Sequence, residues 1–157
     1  MRVENTQMIA RPIENVFAFL VLPENNELWM SVVIGTTRAA TGPVTLGEMY
    51  QHSVKFLGRT VDITFEVIEL ESPTRFCVRN VSGPIEFHGC YTLESVDGQT
   101  RFTHTLEGNP GRFFSFGQAV VERAAQRQYA ADLETLNDVL AAIAMNQSQD
   151  SVVADIC

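Results

Sequence analysis

The sequence has few cysteines and few basic residues, and these deficits exclude several classes of protein. Its three cysteines, Cys77, Cys90 and Cys157, cannot all pair within one chain of 157 residues, so a disulfide-stapled scaffold is excluded. Eleven Lys and Arg against nineteen Asp and Glu give a formal charge of -8. Because such a field repels phosphate backbones and anionic lipid surfaces, we expect no nucleic-acid partner and no membrane partner.

Long apolar runs and targeting patterns are also missing. No window reaches the roughly 18 uninterrupted apolar residues of a membrane-spanning helix. The first residues, MRVENTQMIA, have neither a basic segment nor an apolar segment that would direct secretion. We therefore predict a cytoplasmic location, where Cys77 and Cys90 would remain inert thiols.

Metal-ligating and phosphate-binding motifs are absent as well. The sequence contains no C-x-x-C pair and no H-E-x-x-H motif, so it predicts no metal. It also lacks a Gly-rich phosphate loop and a Gly-x-Ser-x-Gly elbow. We expect a protein that works without a cofactor.

The first thirty residues predict one strand followed by two short helices. Val3 to Ile9 alternates weakly between apolar and polar residues, which is typical of a strand. Pro12 suits a first helical position, because its missing N–H would be unpaired there anyway. Apolar residues then follow at helical spacing, and Pro23 breaks the pattern before a second helical segment from Glu24 to Trp29.

The middle of the chain predicts an antiparallel meander of six strands. The segments are 31–40, 47–56, 59–70, 74–81, 85–95 and 100–107, and short Gly- and Pro-containing turns separate them. Asp97-Gly98 favours a two-residue type I′ hairpin, because both residues tolerate positive φ. With so few residues between them, consecutive strands should pair with each other.

A helical pattern occupies the chain from about residue 112 to Asn146. Its best apolar stripe ends in Leu133, Leu136, Leu140 and Ile143, but begins with Gln118, Glu122, Ala125 and Tyr129. Small and polar residues at the beginning of the stripe predict a cavity between the sheet and the first half of the helix. We predict one domain over residues 1–146 and a flexible tail over residues 147–157.

The order of these elements resembles the helix-grip fold of the START-like superfamily, which includes the birch-pollen allergen. Within it, the chain is similar to the bacterial polyketide cyclase/dehydrase-like group. The resemblance lies in ARPIENVFAFL, Trp29, Gly47, Glu69 to Phe76, Ser82-Gly83-Pro84, Tyr91 to Thr103 and Asp132 to Leu136. It implies an α+β fold in which a curled seven-stranded antiparallel sheet surrounds a long C-terminal helix. It also implies a hydrophobic internal pocket, without supplying a catalytic set.

Strand alternation predicts which polar side chains face this pocket. His52 shares a face with Tyr50 and Val54, and His104 shares one with Phe102 and Leu106. An inward histidine, with an ordinary pKa of about 6.5, suits proton transfer next to a carbonyl. The alternative is a buried histidine whose nitrogens are satisfied by hydrogen bonds. The same alternation turns Asn80, Phe87 and Tyr91 inward.

The long helix and its approach supply further candidates. Glu122 would act as a base or as a partner to a histidine, or else reach solvent or pair with Arg123 or Arg127. Tyr129 and Ala125 should line the pocket, and Trp29 should either contact the ligand or serve in packing. The cluster of Phe113, Phe114 and Phe116 would form a gate over an aromatic ligand or an ordinary lid of the core.

The leading hypothesis is a cofactor-independent enzyme that cyclises or dehydrates a hydrophobic, aromatic or polyketide-type substrate. His104 or His52 would take the proton, Tyr91 or the other histidine would stabilise the enolate, and Glu122 is the further catalytic candidate. The alternative is a carrier, sensor or sequestering protein that binds such a molecule without chemistry. An interaction module similar to chaperone activators is a third hypothesis, and a homodimer is left open.

Overall fold

The computed structural model describes residues 1–110, 113–114 and 116–156, with side chains described as far as residue 148. Cys157 lies outside the described residues. Strands and helices are bounded as follows: β1 Arg2–Ile9, α1 Ile13–Leu20, a 3-10 turn Pro23–Asn25, α2 Asn26–Trp29, β2 Val33–Thr37, β3 Met49–Phe56, β4 Arg59–Glu71, β5 Arg75–Ser82, β6 Glu86–Val96, β7 Gln99–Asn109 and α3 Gln118–Ile156.

The seven strands form one antiparallel sheet in the order β1-β7-β6-β5-β4-β3-β2. Consecutive strands from β2 to β7 are neighbours, and β1 joins at the β7 edge. The predicted α+β helix-grip fold is therefore confirmed. The strand boundaries differ from the predicted ones by a few residues, because the ends of pairing depend on the partner strand.

Two tight turns show why the meander folds locally. Asp97 and Gly98 have φ values of 52° and 81°, as a type I′ turn requires. Leu57 and Gly58 adopt the same left-handed region, at 48° and 78°, between β3 and β4. Both turns match the right-handed twist of the strands they join and hold them in register.

The core lies between the concave face of the sheet, α1 and the second half of α3. Leu133, Leu136 and Leu140 of α3 are buried there. Farther toward the beginning of α3, Ala125 belongs to a separate small cluster with Val3 and Leu106. The helix therefore packs tightly along one half only, as its stripe predicts, and leaves space along the other.

The prediction for Cys77 and Cys90 is wrong, because the two residues form a disulfide. They are register partners on β5 and β6, with their Cα atoms 4.2 Å apart. Sequence alone does not show which residues of two strands lie opposite each other, so the pairing was not predictable from spacing.

The C-terminal segment and the helices as a group complete the fold. The structure continues α3 to Ile156, past the predicted domain boundary at Asn146. That boundary stays a prediction. Among the described helices, none combines the length and the apolar character needed to cross a bilayer.

Candidate functional site

A cavity of about 120 Å³ lies between the sheet and the first half of α3, where the small and polar residues of the helix stripe predict it. Its wall is mainly apolar and includes Val54, Ile63, Phe65, Phe87, Leu106 and Val121. Ala125 and Tyr129 of α3 also line it. The predicted cavity is confirmed, and its apolar wall suits a hydrophobic guest.

His104, in the middle of β7, is a buried polar side chain on the cavity wall. Only 5% of the residue is exposed, and its ring meets the rings of Tyr91 and Tyr129 edge-on at centroid distances of 5.1 and 5.0 Å. Burial lowers the pKa of His104 to about 4, so the imidazole is neutral near pH 7. Within the described residues its ring nitrogens make no hydrogen bond.

His52, on β3, lines the same cavity but has partners for both nitrogens. Nε2 lies 3.1 Å from the Asn26 amide nitrogen, and Nδ1 lies 3.0 Å from the Thr36 hydroxyl. An amide nitrogen can only donate, so Nε2 accepts and Nδ1 carries the proton. Burial is the main cause that lowers the pKa of His52 to about 4. His52 therefore fits the alternative to a catalytic role, a buried histidine whose ring nitrogens are both satisfied by hydrogen bonds.

Three tyrosines line the cavity around the histidines. Burial raises the pKa of Tyr50, Tyr91 and Tyr129, so each keeps its hydroxyl proton. The Tyr91 hydroxyl lies 3.9 Å from the Met30 sulfur. The hydroxyls of Tyr50 and Tyr129 make no hydrogen bond to the part of the chain that the structure describes. These hydroxyls offer donors to a bound molecule.

Two strand residues that were predicted to contact the ligand, Phe102 and Asn80, do not line the cavity. Phe102 is fully buried but packs behind the cavity, with its ring 5.3 Å from Tyr91 and 6.2 Å from Trp29. Asn80 does not line the cavity either. Its amide closes the β5–β6 hairpin, donating to the Ile85 carbonyl and accepting from the Phe87 N–H at 2.8 Å.

Candidates from the helices also divide into residues inside and outside the cavity wall. Trp29 is buried and takes the packing role, with its ring 6.0 Å from Tyr91. Glu122 is half-buried and does not line the cavity. Phe113 and Phe114 line the cavity, whereas Phe116 is 52% exposed and does not line it. Glu122 therefore fits the alternative in which its carboxylate reaches solvent better than it fits a catalytic role.

Sequence reasoning missed Asp132, a carboxylate buried one turn after Tyr129. Its Oδ1 accepts hydrogen bonds from the Ser31 N–H at 3.2 Å, the Ser31 hydroxyl at 2.8 Å and the Gln128 amide at 3.2 Å. Burial is the main cause that raises its pKa. Through Ser31, the second residue after α2, Asp132 connects α3 to the end of α2 and thereby holds one end of the cavity. Its position beside Leu133 in the apolar stripe was the available signal.

Comparison with known proteins agrees with this architecture. Residues 1–141 match the family described as polyketide cyclase/dehydrase and lipid transport. The chain belongs to this family. A search of curated proteins finds no match. Family membership and fold together support binding of a hydrophobic small molecule.

Solved structures show the same fold at low sequence identity. A Thermus thermophilus protein has a TM-score of 0.77 at 16% identity, over 91% of this chain and 99% of its own. A START superfamily protein from Mycobacterium smegmatis has a TM-score of 0.77 at 11% identity, over 90% and 98%. Ara h 8.0201 has a TM-score of 0.65 at 10% identity, over 90% and 98%. The family fold is thus preserved while its sequence varies.

Proposed function

We propose that the protein binds a compact, uncharged hydrophobic molecule that carries a hydroxyl or carbonyl group. The observation that carries this proposal is His104, a neutral imidazole without a hydrogen-bond partner in the described chain, on the wall of an apolar cavity. A buried polar group without a partner is costly, and a ligand that hydrogen-bonds to it offsets that cost.

The size and charge of the cavity narrow the ligand class. A cavity of roughly 150 Å³ is enough to hold benzene, so about 120 Å³ favours a ligand of a single ring over a fused-ring molecule or a long lipid. The histidines and tyrosines of the wall are neutral near pH 7, as their shifted pKa values indicate. Arg59 and Glu86 also line the cavity, but both are exposed. An ionised ligand group placed among the buried histidines and tyrosines would therefore lose its hydration without a counter-charge beside it.

Cofactor-independent cyclisation or dehydration is the second candidate, and the contacts of His104 with Tyr91 and Tyr129 favour it. His104 would accept the α-proton of a polycarbonyl substrate while a tyrosine hydroxyl donates to the developing enolate. The imidazole would return the proton when water leaves or the new bond is complete. A pKa near 4 makes free His104 a weak base, so binding alone ranks first.

The test of binding uses the single tryptophan as a reporter. Trp29 lies 6.2 Å from the His104 ring, so its fluorescence should respond to a ligand in the cavity. We expect phenol to bind and His104→Gln to weaken its affinity. His88→Gln is the matched control, since His88 is exposed on β6 and does not line the cavity. The binding proposal fails if phenol, 2-naphthol and a tricyclic anthrone all leave fluorescence and melting temperature unchanged.

The same variant separates the two candidates. With a polycarbonyl substrate, an enzyme would show product by mass spectrometry, and His104→Gln would slow turnover by roughly 10² to 10⁴ while changing affinity less than about tenfold. A carrier would show no product with either protein and a weakened affinity in the variant. Unchanged binding in His104→Gln would remove His104 from both candidates.

A further inference from the structure

Cys77 and Cys90 lie on the convex side of the sheet, opposite the cavity, in a row of charged side chains. Glu69, Cys77 and Cys90 are register partners across β4, β5 and β6. Glu69 Oε2 lies 2.9 Å from the Cys77 sulfur, and an Arg75 guanidinium nitrogen lies 3.7 Å from the Cys90 sulfur. Glu69 and Arg75 pair with each other at 2.6 Å.

These two charged groups make the sulfurs chemically unequal once the disulfide is reduced. A guanidinium beside Cys90 stabilises its thiolate, whereas the Glu69 carboxylate is placed to accept a hydrogen bond from the Cys77 S–H. Cys90 is also the more accessible residue, with 9% exposed against 1% for Cys77. The geometry therefore gives Cys90 the properties of an attacking thiolate and Cys77 those of a resolving thiol.

We propose that Cys77 and Cys90 form a thiol–disulfide exchange site that reacts with low-molecular-weight thiols and disulfides. In the oxidising direction, the Cys90 thiolate attacks one sulfur of a small disulfide, and the other sulfur leaves as a thiolate. Glu69 then takes the proton of Cys77, whose sulfur attacks Cys90 and displaces the second small thiolate. Two protein thiols and one small disulfide thus become one protein disulfide and two small thiols.

The experiment follows the reduced protein as it reacts with oxidised glutathione. A Cys157→Ser background leaves the two proposed thiols, and acid-quenched samples are analysed by mass spectrometry and peptide mapping. We expect a mixed disulfide on Cys90 that converts to the Cys77–Cys90 disulfide. Arg75→Gln should slow its formation about tenfold, and Glu69→Gln should make it accumulate.

A second ion pair on the same strands supplies matched controls. Glu66 and Arg79 face each other across β4 and β5 at 3.3 Å. Glu66→Gln and Arg79→Gln should leave both steps unchanged. Far-ultraviolet circular dichroism checks that every variant is folded.

Three results would overturn the proposal. Resistance of the disulfide to excess dithiothreitol in the folded protein would make it a permanent cross-link. Glutathione could instead attach first to Cys77. Finally, Arg75→Gln could behave as Arg79→Gln does, which would remove the role of the guanidinium.

Discussion

His52 and His104 have the same side chain on the same face of one sheet, but their neighbours give them different capacities. Both nitrogens of His52 are occupied by Asn26 and Thr36, so the ring cannot bond to a ligand without breaking an existing contact. His104 is surrounded by rings instead. Of the two histidines, only His104 can gain a hydrogen bond when a ligand enters.

The two histidines should make stability depend on pH between about 6.5 and 4. Their pKa falls from 6.5 when unfolded to about 4 when folded. As the pH falls through this window the unfolded chain takes up protons that the folded protein does not, so the free energy of unfolding decreases. The loss is on the order of 3 kcal/mol per histidine, and full stability is present above pH 6.5.

Urea unfolding at a series of pH values measures this loss. The two histidines together account for part of the loss of unfolding free energy between pH 6.5 and 4. His104→Gln should remove about half of that histidine part, whereas the exposed control His88→Gln should retain all of it. Comparing the variants cancels the carboxylates that titrate in the same range. An identical decrease in both variants would show that His104 is not buried as a neutral group.

The direction of single side chains was predictable from the sequence, but their partners were not. Alternation along β3 and β7 correctly turned His52 and His104 inward. The contact between Asn26 and His52 joins α2 to β3, and that of Ser31 with Asp132 joins the chain after α2 to α3. Such contacts depend on how elements pack, which no local pattern encodes.

At the scale of elements, strands β6 and β7 approach each other closely at Gly108, beside the cavity. A Cβ at Gly108 would overlap the Glu86 carbonyl oxygen and the Phe87 Cβ. Gly108→Ala should therefore force the strands apart and lower the free energy of unfolding by about 2 kcal/mol. Urea unfolding measures the change.

A glycine on another strand provides the control. At Gly35 on β2, a Cβ would meet its nearest atom, the Ser53 Cβ, at an ordinary 3.7 Å. Gly35→Ala should cost less than Gly108→Ala. Equal losses would mean that the close approach at Gly108 contributes nothing.

Turns were the elements that the sequence predicted best. Asp97-Gly98 specifies its own backbone conformation, so the β6–β7 hairpin needed no tertiary information. The row of Glu69, Cys77 and Cys90 was hidden for the opposite reason. The register of β4 against β5 shifts between Val67 and Glu69, and an irregularity of this kind reverses the face assigned by simple alternation.

At the scale of the whole molecule, the cavity is interior space that no side chain fills, so the protein lacks the stability that packing there would add. Ala125 lines it and is 3% exposed, so Ala125→Leu should fill part of the space. We expect a gain of about 2 kcal/mol in the free energy of unfolding from the added buried carbons, and an affinity for phenol reduced at least tenfold. Thermal unfolding and Trp29 fluorescence measure the two effects.

Ala130→Leu is the control for this substitution, because Ala130 is exposed on the same helix. It should change neither stability nor affinity appreciably. A destabilised Ala125→Leu protein that still binds phenol normally would place the ligand elsewhere.

The pairing of the first strand with the last also has a consequence for biosynthesis. Val3 of β1 lies opposite Leu106 of β7, whereas β2 to β7 pair with their neighbours along the chain. During translation the meander can assemble as each hairpin leaves the ribosome, but β1 must wait until β7 has been made. At roughly 5 to 20 residues per second the wait lasts several seconds. Throughout that time the edge that β1 will pair with is missing, so its backbone N–H and C=O groups lack their native partners.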